Sequence, residues 1–196
     1  MPPHATPPSS GLPHIASTRM IHQGYRFTFE EITLVERRAD GSPITRDIVR
    51  HPGAVVIVPV LDDGRIVMIR NYRPTLDCSL WELCAGTLDH EGEEPIACAG
   101  RELVEETGYE AGVIEPLGCF YTTPGLTDEL MYAFLATDLR QVGQSLEPGE
   151  HISVSMMEMS EIENMIRAGD FQDGKSLVAY FLFKQRKTGE TSGQRD

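Results

Sequence analysis

The sequence predicts an α/β fold in which helices cover a mixed sheet and a small antiparallel sheet precedes them. Two apolar stretches, 54–61 and 130–137, are typical of buried strands. Two amphipathic stretches, 95–107 and 175–187, indicate helices that pack on one side. Strands and helices are interleaved without a regular βαβ rhythm, which favours a mixed sheet over a purely parallel one.

The beginning of the chain predicts a tail followed by a region of strands. Residues 1–17 contain five prolines and little apolar bulk, so we expect a disordered tail. Residues 18–50 contain strand patterns on both sides of the hairpin signal Asp40-Gly41, which predicts two or three antiparallel strands. Residues 51–187 then form the main domain, and the polar residues 188–196 are expected to fray.

Turn signals divide the main domain into further elements. Strand 54–61 is expected to form a hairpin with 65–73. Ser160 and Glu163 match a capping box, which predicts a helix that ends near Gly169. Further strands are predicted at 80–83, 115–121 and 152–157.

Composition and charge exclude several classes of protein. The formal net charge of −13 argues against nucleic acid as a partner, because neutralising phosphates requires a broad basic face. No run approaches the roughly 20 apolar residues of a membrane span, and the N-terminus lacks the basic-then-apolar pattern of a signal peptide. The four cysteines form no Cys-x-x-Cys pair. We therefore expect a cytoplasmic protein with reduced thiols and no membrane partner.

The predicted helix 95–107 carries a concentrated group of charges. Pro95 suits its first turn and Gly108 its C-terminal stop. At about 100° per residue, three glutamates share one arc and an apolar face lies on the other side. The glutamates are Glu102, Glu105 and Glu106, and the apolar face comprises Ile96, Gly100, Leu103 and Val104.

Three carboxylates this close raise one another's pKa unless a cation lies among them. Mg²⁺ or Mn²⁺ is the natural partner, because both ions prefer oxygen ligands. The alternative is a solvated acidic face, which is common on surface helices. Spacing alone leaves both interpretations open.

The segment from Gly86 to Tyr109 resembles the Nudix box, Gly-x5-Glu-x7-Arg-Glu-U-x-Glu-Glu-x-Gly-U, in which U is apolar. From Glu93 onward every specified position matches, including Arg101 and Glu102. The opening departs from the pattern, because six residues rather than five separate Gly86 from Glu93. One additional loop residue costs little and leaves the helix register intact.

Other segments resemble the ADP-ribose pyrophosphatases among the Nudix hydrolases. They are His51-Pro52-Gly53-Ala54-Val55, Asn71-Tyr72-Arg73-Pro74, Trp81-Glu82-Leu83-Cys84-Ala85-Gly86 and Pro124. That family often has proline at the position of Cys84 and glutamine at that of Asn71, so the substrate side departs from the pattern. The resemblance implies a Nudix-type α/β/α sandwich with a mixed sheet, and a homodimer that exchanges its N-terminal strands.

The resemblance also implies a metal site and a catalytic base. Arg101 and Glu93 match a pair that braces the loop against the helix. The expected catalytic residues are Arg101, Glu105 and Glu150. Glu150, before the predicted strand 152–157, matches the base best; Glu147 and His151 are the alternatives. The implied metal ligands are the Ala85 carbonyl, Glu102, Glu105 and Glu106.

Four further residues are expected to contact substrate. Arg73 matches an arginine that grips the pyrophosphate, and Glu82 matches a carboxylate near substrate and metal. Arg46 lies where the family delivers an arginine, often to the partner subunit's site. Glu129, on the loop that follows Pro124, is either a substrate ligand or a solvated acid.

The implied function is Mg²⁺-dependent hydrolysis of ADP-ribose, a nucleoside diphosphate sugar, to AMP and ribose 5-phosphate, with Mn²⁺ as an alternative metal. The same chemistry on GDP-mannose or a dinucleotide is the nearest alternative. A non-catalytic nucleotide-binding module is a third reading, but such modules tend to lose box carboxylates, which this chain retains.

Overall fold

The computed structural model describes residues 14–192, with side chains described as far as Lys187. Residues 1–13 and 193–196, where most of the predicted N-terminal tail and the end of the C-terminal tail fall, lie outside the described residues. The chain divides into two compact units. The smaller unit, called the N-terminal unit below, includes residues 14–53 and Tyr121–Leu130. The larger unit comprises Ala54–Phe120 and the described residues from Met131 onward.

The N-terminal unit contains the predicted small antiparallel sheet. Its strands are β1 (Ile15–Gln23), β2 (Thr28–Arg37) and β3 (Pro43–Arg50), in the order β1-β2-β3. The expected tail is wrong at its end, because β1 begins at Ile15 and residues 15–17 pair with β2. Backbone hydrogen bonds to a neighbouring strand order this segment even though its side chains are exposed.

The segment Tyr121–Leu130 belongs to the N-terminal unit because polar contacts tie it to the end of β3. Asp128 accepts hydrogen bonds from the Arg50 guanidinium at 3.0 Å and from the His51 amide at 2.9 Å. The Val49 amide also donates to the Leu126 carbonyl at 2.9 Å. This loop is therefore fixed to the strand region that precedes the larger unit in sequence.

The larger unit has two sheets and three helices. The elements are β4 (Ala54–Pro59), β5 (Ile66–Arg73), β6 (Cys78–Glu82), β7 (Ala85–Thr87), α1 (Pro95–Thr107), β8 (Tyr109–Tyr121), β9 (Leu130–Gln141), β10 (Ile152–Met157), α2 (Met159–Ala168) and α3 (Gly174–Ser192). One sheet has the order β7-β4-β9-β8 and the other β10-β5-β6. Strand β4 pairs parallel with β9 and antiparallel with β7, so the predicted mixed sheet is confirmed.

The predicted hairpin between 54–61 and 65–73 is wrong. Strands β4 and β5 lie in different sheets, and a single bridge between Val60 and Ile66 joins them. Both strands are buried along most of their length, so each needs neighbours on both edges and cover on both faces. The turn at 62–64 reverses the chain direction, but it does not determine which strands pair.

Alternating residues of β4 enter two different hydrophobic clusters, as expected for a strand with a period of two. Val56 and Val58 pack in the cluster that includes Phe183 of α3. Val55 and Ile57 pack in the cluster that includes Cys98, Ala99 and Leu103 of α1. The sheet thus lies between helices on both faces, which confirms the α/β/α sandwich.

Helix α1 has the predicted bounds but not the predicted faces. It begins at Pro95 and ends at Thr107, with Gly108 in the left-handed conformation at φ 74°. Ile96, assigned to the packed face, is 48% exposed, whereas Glu106 is only 5% exposed. The buried arc is centred on residues 99, 103 and 106, so it overlaps the acidic arc instead of lying opposite to it.

The other helices differ slightly from expectation. The capping box of α2 is formed by Glu158 and Glu161, not by Ser160 and Glu163, because the helix starts as soon as β10 ends. Helix α3 continues to Ser192, so residues 188–192 are helical and not frayed. Within the described residues, none of the helices has the length and apolar character needed to cross a membrane.

The C-terminus of α1 is closed by the loop that follows β9. The Gly108 carbonyl accepts hydrogen bonds from the Val142 and Gly143 amides at 2.8 and 3.1 Å. The Ser145 amide donates to the Glu105 carbonyl at 3.0 Å, and the Gln144 side-chain amide to the Glu106 carbonyl at 2.6 Å. The last carbonyls of a helix lack partners within it, and here a distant loop supplies them.

Replacement of Gly108 by alanine should destabilise the protein more than replacement of Gly92. A Cβ at position 108 would lie 2.7 Å from the Gln144 nitrogen, whereas one at position 92 meets nothing within 4 Å. Both glycines have positive φ, so the Gly92 variant isolates the backbone strain, about 1 kcal/mol. We expect Gly108→Ala to lower the free energy of unfolding by about 2–4 kcal/mol in urea titrations. Equal losses in the two variants would contradict the close loop contact.

Candidate active site

Helix α1 brings Glu106 against the backbone of β7. The Ala85 amide donates a hydrogen bond to Glu106 Oε2 at 2.9 Å. Glu106 is buried, and burial is the main reason that its pKa rises to about 8. The Ala85 hydrogen bond and the Lys175 charge lower this pKa, whereas the charges of Glu102 and Glu150 raise it further.

Glu102 lies against a glycine on β7. A Cβ added to Gly86 would come within 1.9 Å of the Glu102 carboxyl carbon, so only glycine leaves room for this side chain. Burial raises the pKa of Glu102 to about 7, although Arg101 acts in the opposite direction. The site therefore contains two carboxyl groups that are costly to ionise without a cation.

Arg101 is the cation that joins the acidic side chains of this segment to one another. It donates two parallel hydrogen bonds to Glu93, both at 3.0 Å, and further ones to Glu102 at 2.8 Å and Glu105 at 3.0 Å. The Arg101 hydrogen bonds lower the pKa of Glu93, and the contact with Glu93 raises the pKa of Arg101. The structure thus contains the predicted contact between Arg101 and Glu93, which ties the loop before α1 to the helix.

The chemistry of these donors fits a hard divalent cation. Glu102 and Glu106 are carboxylates one helical turn apart, and both face β7. In the described part of the chain no three acidic, histidine or cysteine side chains converge as a ready-made metal site. Arg101 instead holds Glu102 and Glu105 in ion pairs. Glu102 and Glu106, with Glu105 and the Ala85 carbonyl, are the groups that would hold a metal ion.

A second ionic group surrounds Glu82, whose side chain is 1% exposed. Arg73 donates two hydrogen bonds to its carboxylate, at 2.7 and 2.5 Å. Lys175, near the start of α3, donates to the same carboxylate at 2.6 Å. This interaction with Glu82 raises the pKa of Arg73. The sequence does not single out Lys175, because it lies at the start of the predicted helix 175–187 and belongs to no motif.

The loop with the candidate bases is held near α1. Glu150 accepts a hydrogen bond from the Glu147 amide at 2.8 Å, and the Glu150 amide donates to the Glu147 carbonyl at 3.1 Å. His151 is exposed and its ring lies edge-on to Tyr72. Of these three, Glu150 carries a charge that helps to raise the pKa of Glu106. Gln144, which fixes this loop, carries no motif in the sequence.

Arg46 and Glu129 have their contacts in the N-terminal unit. Arg46 is exposed on β3 and donates to its neighbour's carbonyl, that of Thr45, at 2.8 Å. Glu129 lies 3.3 Å from the His51 ring nitrogen and accepts a hydrogen bond from Thr122 at 2.5 Å.

Comparisons with known proteins agree with this geometry. The family described as NUDIX domain matches residues 50–181. An ADP-ribose pyrophosphatase of Bacillus subtilis is 37% identical over 142 residues, which cover 71% of this chain and 76% of that protein. A GDP-mannose pyrophosphatase of Klebsiella pneumoniae is 30% identical over 196 residues, covering 93% and 96% of the two chains.

The fold is also shared with a solved structure. A crystal structure described as that of an ADP compounds hydrolase superposes with a TM-score of 0.78 over 94% of this chain and 98% of its own, at 23% identity. At this identity the likeness concerns the fold alone. Together with the family match over more than half of the chain and the relative at 37% identity, the carboxylates of α1 lead to one conclusion: this chain belongs to the NUDIX domain family and is a Nudix pyrophosphohydrolase.

Proposed function

We propose that the protein hydrolyses the pyrophosphate bond of ADP-ribose with Mg²⁺, producing AMP and ribose 5-phosphate. The observation that carries this proposal is the pair of carboxylates, the largely buried Glu102 and the buried Glu106, against Ala85 and Gly86 of β7. Nudix hydrolases generally use divalent metal ions, and Mg²⁺ suits an all-oxygen site. The B. subtilis relative named for ADP-ribose supports the choice of substrate.

The residues of the site have separate tasks in this reaction. A bound Mg²⁺ would neutralise phosphate charge and make a water molecule more acidic. Glu102 and Glu106, assisted by Glu105 and the Ala85 carbonyl, would hold the ion. Glu150 removes a proton from the attacking water as general base.

Charge on the substrate is balanced by Arg73. As the water oxygen bonds to one phosphorus, the bridging P–O bond breaks and a phosphate monoester leaves. Arg73 donates to a phosphate oxygen through the part of its guanidinium that Glu82 does not occupy, and it stabilises the charge that develops. Glu82 fixes the plane of the guanidinium, because both of its oxygens accept from Arg73.

Hydrolysis of GDP-mannose is the second candidate function. It is favoured by the K. pneumoniae relative, which aligns with nearly the whole chain. The roles of the carboxylates and of Arg73 are unchanged in that reaction, since the bond that breaks is the same. The two functions differ only in the groups that contact the base and the sugar.

We also propose a cytoplasmic homodimer formed through the N-terminal sheet. Strand β1 is one of the two edge strands of that sheet, and every residue in it is exposed, including Ile15, Met20 and Ile21. An exposed edge strand with apolar side chains is suited to pairing with a second copy. Arg46 would then contribute to the partner subunit's active site. Sedimentation equilibrium, which measures the mass of the assembly in solution, tests the proposed dimer. The four cysteines are free, in keeping with a reducing compartment.

A panel of substrates tests the proposed function. Wild-type protein is incubated with Mg²⁺ and ADP-ribose, GDP-mannose, NADH or a diadenosine polyphosphate, and the products are separated by ion exchange. We expect the highest kcat/KM with ADP-ribose, AMP and ribose 5-phosphate as products, and loss of turnover on chelation. Faster turnover of GDP-mannose would show that GDP-mannose, and not ADP-ribose, is the preferred substrate. No turnover of any compound by folded protein would contradict the enzymatic proposal.

Gly86→Ala should weaken metal binding although it removes no ligand side chain. The new methyl group would displace the Glu102 carboxylate, and the flexible side chain can move without unfolding the protein. Gly100→Ala is the matched control, because its Cβ would meet Ile114 at an ordinary 3.5 Å. We expect Mg²⁺ affinity, measured by calorimetry, to fall by about tenfold or more in Gly86→Ala only. Equal affinities in both variants would argue against Glu102 as a ligand.

Added Mg²⁺ should stabilise the protein more at about pH 8.5 than at about pH 6. Burial raises the pKa of Glu106 from 4.5 to about 8, so the folded, metal-free protein binds more protons than the unfolded chain between these values. Its free energy of unfolding therefore falls as the pH rises through this window. Metal ions bind the ionised carboxylate and reverse that loss at high pH.

The measurement for this pH dependence is the midpoint of thermal unfolding with and without Mg²⁺ at both pH values. In Glu106→Gln, which cannot ionise at this position, the pH dependence of the Mg²⁺ effect should be much reduced. An Mg²⁺-induced shift of the same size at both pH values in the wild type would show that Glu106 does not bind the metal.

A further inference from the structure

Gln144 attaches the loop before β10 to the helix that carries the proposed metal ligands. This loop, called the base loop below, comprises residues 142–151 and contains Glu150, the proposed general base. The Gln144 side-chain nitrogen donates to the Glu106 carbonyl at 2.6 Å. It also donates to the Ile152 carbonyl at 3.5 Å, which is a longer and weaker hydrogen bond. One amide group therefore lies between the backbone of a proposed metal ligand and the first residue of β10.

Main-chain amides of the base loop make the neighbouring contacts with the end of α1. The Val142 and Gly143 amides donate to the Gly108 carbonyl, and the Ser145 amide donates to the Glu105 carbonyl at 3.0 Å. The Glu106 carbonyl differs from these two, because a side chain donates to it. Main-chain amides are present whatever the side chain is. Gln144 is therefore the anchor that depends on the identity of a residue.

The far end of the base loop is held by β5. The Tyr72 amide donates to the His151 carbonyl at 3.1 Å, and Tyr72 directly precedes Arg73. The loop thus extends from the helix with the proposed metal ligands to the strand with the arginine proposed to contact phosphate. Glu150 lies one residue before the second of these two attachments.

A closed turn fixes Glu150 within the base loop. Its carboxylate accepts a hydrogen bond from the Glu147 amide at 2.8 Å, and its own amide donates to the Glu147 carbonyl at 3.1 Å. Pro148 and Gly149, the latter with a positive φ of 95°, occupy the two central positions. This turn fixes Glu150 relative to the loop, whereas the attachments at the two ends fix the loop relative to its neighbours.

A general base needs such attachments because proton transfer depends on distance. The base has to lie about 2.6–3.2 Å from the atom that loses the proton, and a misplacement of about 1 Å costs about a hundredfold in rate. Burial is the largest cause of the raised pKa of Glu106, and the charge of Glu150 raises it further. The two carboxylates repel each other when both are ionised, so hydrogen bonds between the loop and α1 oppose their separation.

We propose that Gln144 is a positioning residue, whose side-chain amide holds the base loop on α1 so that Glu150 can take a proton from the attacking water. This inference rests on the proposed function and assigns a role to a residue outside the box and the substrate motifs. Gln144 acts through Glu150 and not on the substrate itself. Its loss therefore affects the rate of the chemical step more than the binding of substrate or metal.

The test compares Gln144→Met with Gln141→Met. Methionine is an unbranched side chain of similar length without an N–H group, so Gln144→Met removes the donors with little change in size. Gln141→Met is the matched control, because it makes the same change on an exposed side chain at the end of β9. For each protein we would measure backbone hydrogen exchange, Mg²⁺ affinity by calorimetry, kcat and KM with ADP-ribose, and the thermal midpoint.

The first expected result is local loosening of the base loop, which is read without any turnover. The amides of Ser145, Glu147 and Glu150 are hydrogen-bonded in the structure, and in Gln144→Met they should exchange about tenfold faster or more. The strands and helices of the larger unit should keep their wild-type exchange rates. A merely structural role would instead speed exchange throughout the unit and lower the thermal midpoint.

The second expected result is a lower kcat at an unchanged KM. In Gln144→Met kcat should fall by about tenfold to a hundredfold, while KM and the Mg²⁺ affinity stay within about twofold of the wild type. Gln141→Met should match the wild type in every measurement. Unchanged exchange in the base loop, an unchanged kcat, or a loss confined to Mg²⁺ affinity would each overturn the proposal.

A double-mutant cycle with Glu150→Gln shows whether Gln144 acts through Glu150. Glu150→Gln alone should lower kcat by about 10²–10⁴-fold. In that background Gln144→Met should lower kcat by less than about twofold more, because the base that it positions is already absent. Independent losses that multiply, or a wild-type kcat in Glu150→Gln, would contradict this role.

Failure of the proposed function is recognised separately, in the wild-type protein. If GDP-mannose is the better substrate, the same variants are compared with GDP-mannose, since the bond that breaks is the same. A wild-type protein that hydrolyses no nucleoside diphosphate sugar would overturn both proposals. A wild-type protein that is active, together with a fully active Gln144→Met, would overturn the role of Gln144 alone.

Discussion

Keeping Glu106 inside the protein is the constraint on which the rest of the site depends. A buried carboxylate loses its hydration, and one amide hydrogen bond, from Ala85, replaces only part of it. The neighbouring Glu102 adds a second charge, which fits only because Gly86 has no side chain. The backbone of β7 therefore accommodates both carboxylates, through the amide of Ala85 and the missing side chain of Gly86. The protein alone leaves part of this negative charge unbalanced. A bound cation would balance it, which explains why the same residues suit metal binding.

Two ionic groups flank these carboxylates, and they differ in construction. Arg101 lies among Glu93, Glu102 and Glu105, so it reduces repulsion within the box and joins the loop to α1. Around Glu82 the arrangement of charges is the opposite, because one buried carboxylate lies between two cations, Arg73 and Lys175. Under the proposed function, the first group would limit the charge of the metal ligands, and the second would keep positive charge near the anionic substrate. A protein with a net charge of −13 requires such local separation to bind a diphosphate.

The sequence predicted the parts of the site that depend on local order. The bounds of α1 and the contact between Arg101 and Glu93 follow from residues within one loop and helix, where spacing determines position. The separation of β4 and β5 into two sheets and the burial of Glu106 depend on packing against distant strands, which no local pattern encodes. Lys175 was missed for the same reason, because its partner Glu82 is far away in sequence.

The candidate catalytic residues and two of the expected substrate residues belong to different units of the chain. The carboxylates proposed to bind metal, Arg73 and the loop with Glu150 belong to the larger unit, and that loop is fixed to α1 by Gln144. Arg46 and Glu129, which are expected to contact substrate, belong to the N-terminal unit. The proposed reaction breaks the same bond in ADP-ribose and in GDP-mannose, so the residues of the larger unit that would act on this bond suit either substrate.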